Sequence, residues 1–346
     1  MIGILTFHSA HNYGAMLQAY ALLRFLKQSG YDVEIVNYVS SFFAEGYRNG
    51  LRLNSLRNVL INIKHIRRII LRKKQIEKFL DFEKRYLCIP ADSDFSDVSH
   101  INYDTIIFGS DQIWSGKASN NDQVYFGKDI SCKKISYAAS LGSGDLSLFQ
   151  KENLQRYVSD FEFVSIRESS FLQNVQQIIG KHVDLVLDPV FLLDAEEWQK
   201  IVNGNKPNKD YALLYQLKGS DSIQKHCEAQ NLEIYNIHPT CNWISPVGRR
   251  ISDVGPIEFV KLIMGADVIY TDSFHAVAFS SIFRKTIIID RKYAVDCRIS
   301  SILNQKGVSV EIIDNNLIKV DFESIDYESI NDRIQFSKAF LQRALS

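Results

Sequence analysis

The chain has 346 residues, and its 40 Lys and Arg are balanced by 40 Asp and Glu, leaving a formal net charge of zero. Such a length exceeds one ordinary core and is expected to divide into two domains of roughly 150 residues each. A neutral balance argues against general nucleic-acid binding, which needs a phosphate-neutralising surplus, and no apolar run approaches the ~20 residues of a membrane span.

The opening Ile2 to Phe7 is apolar and β-branched, and predicts a first strand at the start of a doubly wound domain. It has no basic flank and reaches His8 too early for a signal peptide, so no secretory leader is expected. His8 to Ala15 reads as a polar turn, in which Asn12 and Gly14 are residue types that let backbone approach a ligand closely. Met16 to Lys27 is an amphipathic helix stopped by Gly30, and Val33 to Tyr38 is a second strand. There is no GxGxxG, so the dinucleotide fingerprint is absent. His8 and His11 are ligand contacts or turn residues, and with no acidic or cysteine partner nearby they do not read as metal ligands.

Leu53 to Tyr86 is helical and basic, with Lys64, Arg67, Arg68, Arg72, Lys73, Lys74 and Lys78 among isoleucines and leucines. Such a helix can lie on an anionic inner-membrane surface or grip a phosphorylated lipid carrier; the simpler reading is a covering helix with its charges in water. Tyr103 to Phe108 is a third strand that runs into Gly109-Ser110-Asp111-Gln112-Ile113-Trp114. Polar groups at a strand's carboxyl end face the crevice of a doubly wound sheet. Asp111 there either accepts a sugar hydroxyl or caps the next turn, and Trp114 either stacks on a sugar or fills core. Lys134 to Ser140 and Phe163 to Ile166 are further strands, and Arg167 follows the second of these, where a guanidinium either suits bidentate binding of carboxylate or phosphate or pairs with Glu168 or another acid. Val183 to Leu187 is the last strand of this half, ended by Asp188-Pro189.

The second half repeats the alternation, with strands at Tyr211 to Gln216 and Leu232 to Ile237 and a helix opening at Gly255-Pro256. Asp267 to Thr271 is a buried strand, Asp272 and Ser273 are good helix caps, and Ala276 to Phe283 is an apolar helix. Strand, capped turn and helix aim free N–H groups and a positive dipole end into a crevice. His275 stands at that opening, either to exchange a proton with something bound there or merely to cap a carbonyl. Thr286 to Asp290 is a strand, with Arg291, Lys292 and Arg298 just beyond its carboxyl end, and Tyr327 to Leu345 is an amphipathic terminal helix. Cys88, Cys132, Cys227, Cys241 and Cys297 are scattered and lack a CxxC pair, so they read as reduced thiols of a cytoplasmic protein, with no metal site.

Six short motifs, in order, resemble the polysaccharide pyruvyl transferase family. They are Gly3-Ile4-Leu5-Thr6-Phe7 with Asn12-Tyr13-Gly14-Ala15 and Leu17-Gln18-Ala19-Tyr20; Gly109 to Trp114; Tyr137-Ala138-Ala139-Ser140; Ser165-Ile166-Arg167-Glu168; Leu187-Asp188-Pro189; and Thr271 to Ala276. The resemblance implies an α/β fold of two Rossmann-like parallel-sheet domains in a GT-B-like arrangement with a cleft between them. Residues 1–194 would form the acceptor side and 195–326 the donor side, with 327–346 a helix packing back across both. It implies transfer of the enolpyruvyl group of phosphoenolpyruvate (PEP) to a sugar diol, giving a pyruvate ketal and phosphate. The acceptor would belong to a capsule, exopolysaccharide or cell-wall glycan, often on a lipid carrier. PEP is then a co-substrate, and no cofactor is implied.

His275 matches the family's catalytic histidine, and Arg167 joins it as the second catalytic candidate. Ser273, Phe274, Lys285 and Arg298 are expected at the donor anion, and Asn12, Gly14, Asp111 and Trp114 at the acceptor. Ketal-forming relatives often read Asp-Arg-Leu-His where this chain has Asp272-Ser273-Phe274-His275. Either another cation, Lys285 or Arg298, replaces the missing arginine, or this branch handles a different donor. The competing readings are a GT-B-like glycosyltransferase using a nucleotide sugar and a non-catalytic glycan-binding or assembly protein.

Overall fold

The computed structural model describes residues 1–40, 70–89, 98, 102–202, 210–230 and 232–346. Lys64, Arg67 and Arg68 of the expected basic helix lie outside them.

In the first half, β1 (Ile2–Leu5), β2 (Val33–Ile35), β3 (Thr105–Phe108) and β4 (Lys133–Ser136) form a parallel sheet in the order β2-β1-β3-β4. β5 (Ser165–Ile166) and β6 (Asp184–Leu185) form a short parallel pair. Single bridges from Ile135 to Phe163 and from Ala139 to Ile166 attach that pair to the β4 edge. β3 is buried at all four positions, as a parallel strand covered on both faces must be.

The second sheet has the order β12-β13-β11-β10-β7-β8-β9. β7 (Tyr211–Tyr215), β8 (Glu233–Ile237), β9 (Arg249–Ile251), β10 (Val268–Thr271) and β11 (Thr286–Asp290) run parallel. β12 (Ser309–Ile312) and β13 (Leu317–Asp321) close one edge antiparallel. The fold is therefore the expected α/β architecture with two mostly parallel sheets.

The longer helices among the described residues are α1 (Tyr13–Gln28), α2 (70–82), α3 (Leu148–Arg156), α4 (Leu172–Ile179), α5 (Ala195–Ile201), α6 (Asp221–Glu228), α7 (Pro256–Gly265), α8 (Phe274–Ile282), α9 (Cys297–Leu303) and α10 (Tyr327–Leu345). Asn12 caps α1, accepting from the Gly14 and Ala15 amides at 3.0 and 3.4 Å. α1 and α8 are buried along nearly their whole length, so helix dipoles and polar ends are held inside the molecule.

One apolar cluster runs from Ile4 and Leu17 through Trp198 to Phe259, Phe279 and Ile289, so the two sheets share a core. Tyr13 stacks on Phe259 at 4.7 Å between ring centroids, and both pack against Tyr215. The buried Gln75 of α2 donates to the Tyr13 hydroxyl and to the carbonyls of His238 and Val254. Lys78 of the same helix pairs with Glu258 at 2.7 Å, while Lys73 and Lys74 stay exposed. For its described part, α2 is thus a covering helix whose inner face ties the halves together.

α10 returns to the first sheet. Its Ser337 Oγ accepts from the Leu187 amide at 3.0 Å, Phe340 packs on Tyr137 and Phe163, and Arg343 pairs with Asp184 at 2.8 Å. Among the described residues no helix is long and apolar enough to cross a membrane.

Candidate active site

The site grows from the β10–α8 corner. β10 lies between β7 and β11, so the turn after Thr271 emerges at the middle of the sheet's carboxyl edge. Neither expected cap bonds the helix. Ser273 occupies the N-cap position without a side-chain bond to it, and its amide donates to Thr271 Oγ1. The Asp272 carboxylate turns sideways instead and accepts the amides of Leu217, Lys218 and Gly219 at 2.6, 2.7 and 2.9 Å. Three such charge-assisted bonds fix the loop after β7 to the turn before His275.

His275 is thereby held against the other half of the protein. A Cβ built on Gly14 would meet its Nδ1 at 2.0 Å, so only glycine at the head of α1 leaves room for the ring. On the ring's other side, Nε2 is 3.7 Å from Asp188 Oδ2. Asp188 is fully enclosed and gathers groups from separate elements. Its Oδ2 accepts from Arg167 Nη1 and from Ser110 Oγ, and its Oδ1 accepts the Val190 amide.

Arg167 is 5% exposed. Besides Asp188, it contacts Glu168 Oε1 through Nε at 3.4 Å and approaches Asp111 Oδ1 at 3.7 Å. Its guanidinium carbon is 5.0 Å from the Phe274 ring centroid, and that of Arg298 is 5.8 Å from the same ring. Phe274 therefore has two arginines over it, an arrangement with cation–π attraction. Arg298 is fixed by Asp296 in a two-point pair at 3.0 and 2.8 Å. Beyond Arg167, Glu168 Oε1 also accepts from Ser140 Oγ.

Three buried polar atoms here have no hydrogen-bond partner among the described residues: Arg167 Nη2, Glu168 Oε2 and His275 Nε2. Buried polar atoms are ordinarily paired, and leaving one unpaired costs about 1–3 kcal/mol. Burial pulls the His275 pKa down; Asp188 and Asp111 pull it up, and Arg167 and Arg298 push it further down. The imidazole is therefore neutral near pH 7. Burial pushes the Glu168 carboxyl above the usual carboxylate range, opposed by Arg167, Ser140 and Arg298.

The structure brings together His275, Arg167, Phe274, Arg298 and Asp111, with Gly14 as the residue that admits the histidine. Asn12 stands one turn away and spends its side chain on the α1 cap. Two expected residues lie elsewhere. Trp114 is completely buried, donates Nε1–H to the Tyr125 carbonyl and stacks with Phe126, so it fills core and offers no face to a sugar. Lys285 immediately precedes β11 and donates to the Ala266 carbonyl at 3.0 Å, at the sheet edge opposite His275. Of Lys285 and Arg298, it is Arg298 that stands near the Ser273–His275 turn, beside Arg167. The Arg167–Glu168 ion pair is the simpler alternative that the sequence offers for this arginine, whereas the gathering role of Asp188 goes beyond the strand-breaking one read from Asp188-Pro189.

Little space is enclosed where Arg167 and Arg298 meet Phe274. The pocket lined by Arg167, Asp188, Phe274 and Arg298 holds about 10 Å³, roughly the space of one water.

Residues 12–289 match the family model described as polysaccharide pyruvyl transferase. A search of curated proteins gave no significant match. Similar solved structures include a UDP-GlcNAc 2-epimerase from Methanocaldococcus jannaschii, at 14% identity, 84% of this chain and 83% of that one, with a TM-score of 0.43. A UDP co-structure of S. aureus MnaA shares 12% identity over 87% of this chain and 80% of that one, with a TM-score of 0.49. A glycosyltransferase from Rickettsia africae shares 12% over 98% and 88%, with a TM-score of 0.41.

Proposed function

Because the chain belongs to the polysaccharide pyruvyl transferase family, we propose that it transfers the enolpyruvyl group of PEP to a diol on a surface-glycan unit, forming a pyruvate ketal. The single observation that carries this reading is the convergence of Arg167, Arg298 and His275 from three elements, with buried nitrogens on Arg167 and His275 that lack a hydrogen-bond partner among the described residues. PEP carries a phosphate and a carboxylate, and the two guanidiniums flanking Phe274 supply one cation for each.

Overall, C3 of PEP gains a proton while one hydroxyl adds to C2 and a second displaces phosphate. The two protons lost by the hydroxyls balance those taken up by C3 and by the departing phosphate. His275, neutral at pH 7, is suited to take a hydroxyl proton, and Asp188 would stabilise the imidazolium that results. Arg167 would hold the donor while Asp188 keeps its guanidinium in place. With only about 10 Å³ enclosed there, PEP would enter by displacing Phe274 and Arg298 from their present contact.

The test incubates purified protein with PEP and a panel of nitrophenyl or lipid-linked glycosides while phosphate release is followed. Acceptor-dependent phosphate release, abolished in His275→Ala, is the expected result. Release of nucleotide from a UDP-sugar without turnover of PEP would overturn it.

A further inference from the structure

Three cations that follow β11 in sequence part company in space. Arg298 joins Arg167, whereas Arg291 and Lys292 face a second pocket of about 440 Å³ at the carboxyl ends of β7 and β11. Lys218, from the loop after β7, lines it with them. The ammonium groups of Lys218 and Lys292 stand 5.3 and 4.8 Å from the Tyr293 ring centroid, and Arg291 Nη1 donates to the Asn315 carbonyl at 3.5 Å.

The walls of this pocket are built and pinned. Asp272 holds the Leu217–Gly219 amides, the Tyr293 hydroxyl donates to the Gly219 carbonyl at 2.6 Å, and the Arg291 amide donates to the Asn316 carbonyl at 2.7 Å. Two carboxylates line it, against three cations. One of them, Asp290, is already engaged by Ser220 Oγ and by the amide and ammonium of Lys292. The other, Asp221, begins α6, whose positive end opens into the same space. Ser220 takes up the Ile223 and Gln224 amides, and among the described residues the first-turn amides of Asp221 and Ser222 have no such acceptor.

Gln216, just before the Leu217–Gly219 loop and outside the residues that line the pocket, is 3% exposed, and its amide nitrogen and oxygen both lack a hydrogen-bond partner among the described residues. Alternation along β7 puts it on the face of Leu214, which packs with Ile223 of α6. An unsatisfied buried amide thus stands at the strand end that feeds the cationic loop.

We propose that this pocket binds a diphosphate group, at a site separate from the Arg167–Arg298 pair. Several dispersed cations around a helix end suit an anion with many oxygens, whereas a lone carboxylate needs only one guanidinium. A nucleotide-linked sugar and a lipid-linked sugar both carry this chemistry. Only the identity of the bearer rests on the pyruvyl-transfer reading.

Calorimetric titration of the full chain with inorganic pyrophosphate, UDP, farnesyl diphosphate and PEP tests it. Pyrophosphate should bind, and Lys218→Ala with Lys292→Ala should weaken it at least tenfold while leaving PEP affinity unchanged. Arg298→Ala should do the reverse. Tighter binding of UDP or of farnesyl diphosphate than of pyrophosphate supports the site and names the bearer. Absence of pyrophosphate binding at millimolar concentration, or its loss in Arg298→Ala alone, would overturn the proposal. Failure of PEP to bind while pyrophosphate does would sink the pyruvyl-transfer reading and leave this pocket standing.

Discussion

Gly14 and His275 are fitted to one another: a single methyl group on the glycine would fall 2.0 Å from the imidazole Nδ1. The glycine opens the first sheet's leading helix and the histidine opens the second sheet's central one. The position of the ring is therefore set by how the two halves close.

Gly14→Ala should displace His275 and lower kcat by about 10²-fold, because misplacement of a catalytic group by about 1 Å costs that much. The overpacking itself costs about 1–3 kcal/mol of stability. Steady-state kinetics beside urea denaturation check the pair; an unchanged kcat would show that the ring has room the contact denies.

Asp188→Asn removes the charge shared by Arg167 and His275. Removing one member of a buried pair costs about 3–5 kcal/mol, which denaturant titration reads. Asp188 raises the His275 pKa, so its loss should move the acid limb of the pH–rate profile to lower pH. A limb that stays in place would mean that Asp188 does not act through the histidine.

Arg298→Ala leaves Arg167 alone over Phe274. Loss of one charge-assisted contact is worth about 1.5–3 kcal/mol, so KM for PEP should rise roughly 10- to 100-fold with a smaller fall in kcat. Kinetics with PEP as the varied substrate decide this; a fall confined to kcat would remove Arg298 from donor binding.

Glu83 gives a pH effect away from the site. Burial raises its carboxyl from 4.5 to about 7. The folded state then holds a proton that the unfolded state has released, so this stabilisation is complete below pH 4.5 and lost as pH rises through about 7. Glu83→Gln should gain stability relative to the parent between pH 5 and pH 8. Thermal unfolding at both pH values checks it, and a difference independent of pH would contradict the raised carboxyl.

Much of the architecture was legible from the chain because parallel strands are short apolar runs between capped helices. β11 was expected at the residues it occupies, and α8 began two residues earlier than its apolar run. β9, β12 and β13 are absent from the sequence reading: Arg249-Arg250-Ile251 and Ser309–Ile312 are exposed edge strands with little apolar content, and the buried Leu317–Asp321 is a five-residue run broken by Lys319. The site divided in the same way. His275 and Arg167 follow strand ends, where side chains converge by topology. The importance of Asp188 arises from bonds to residues 21 and 78 positions away, and locally it looks only like the breaker before Pro189. Trp114 failed for the opposite reason, since an aromatic after a polar turn reads alike whether it faces a sugar or core.

The contact between α10 and the Leu187 amide spans 150 residues and lies beside Asp188. A ribosome adding about 5–20 residues per second needs roughly 8–30 s to cover that interval. The first sheet's residues are complete well before then, but the Leu187 amide lacks this acceptor until α10 has emerged. An incomplete nascent chain that lacks α10 therefore lacks the bond that holds the backbone beside Asp188.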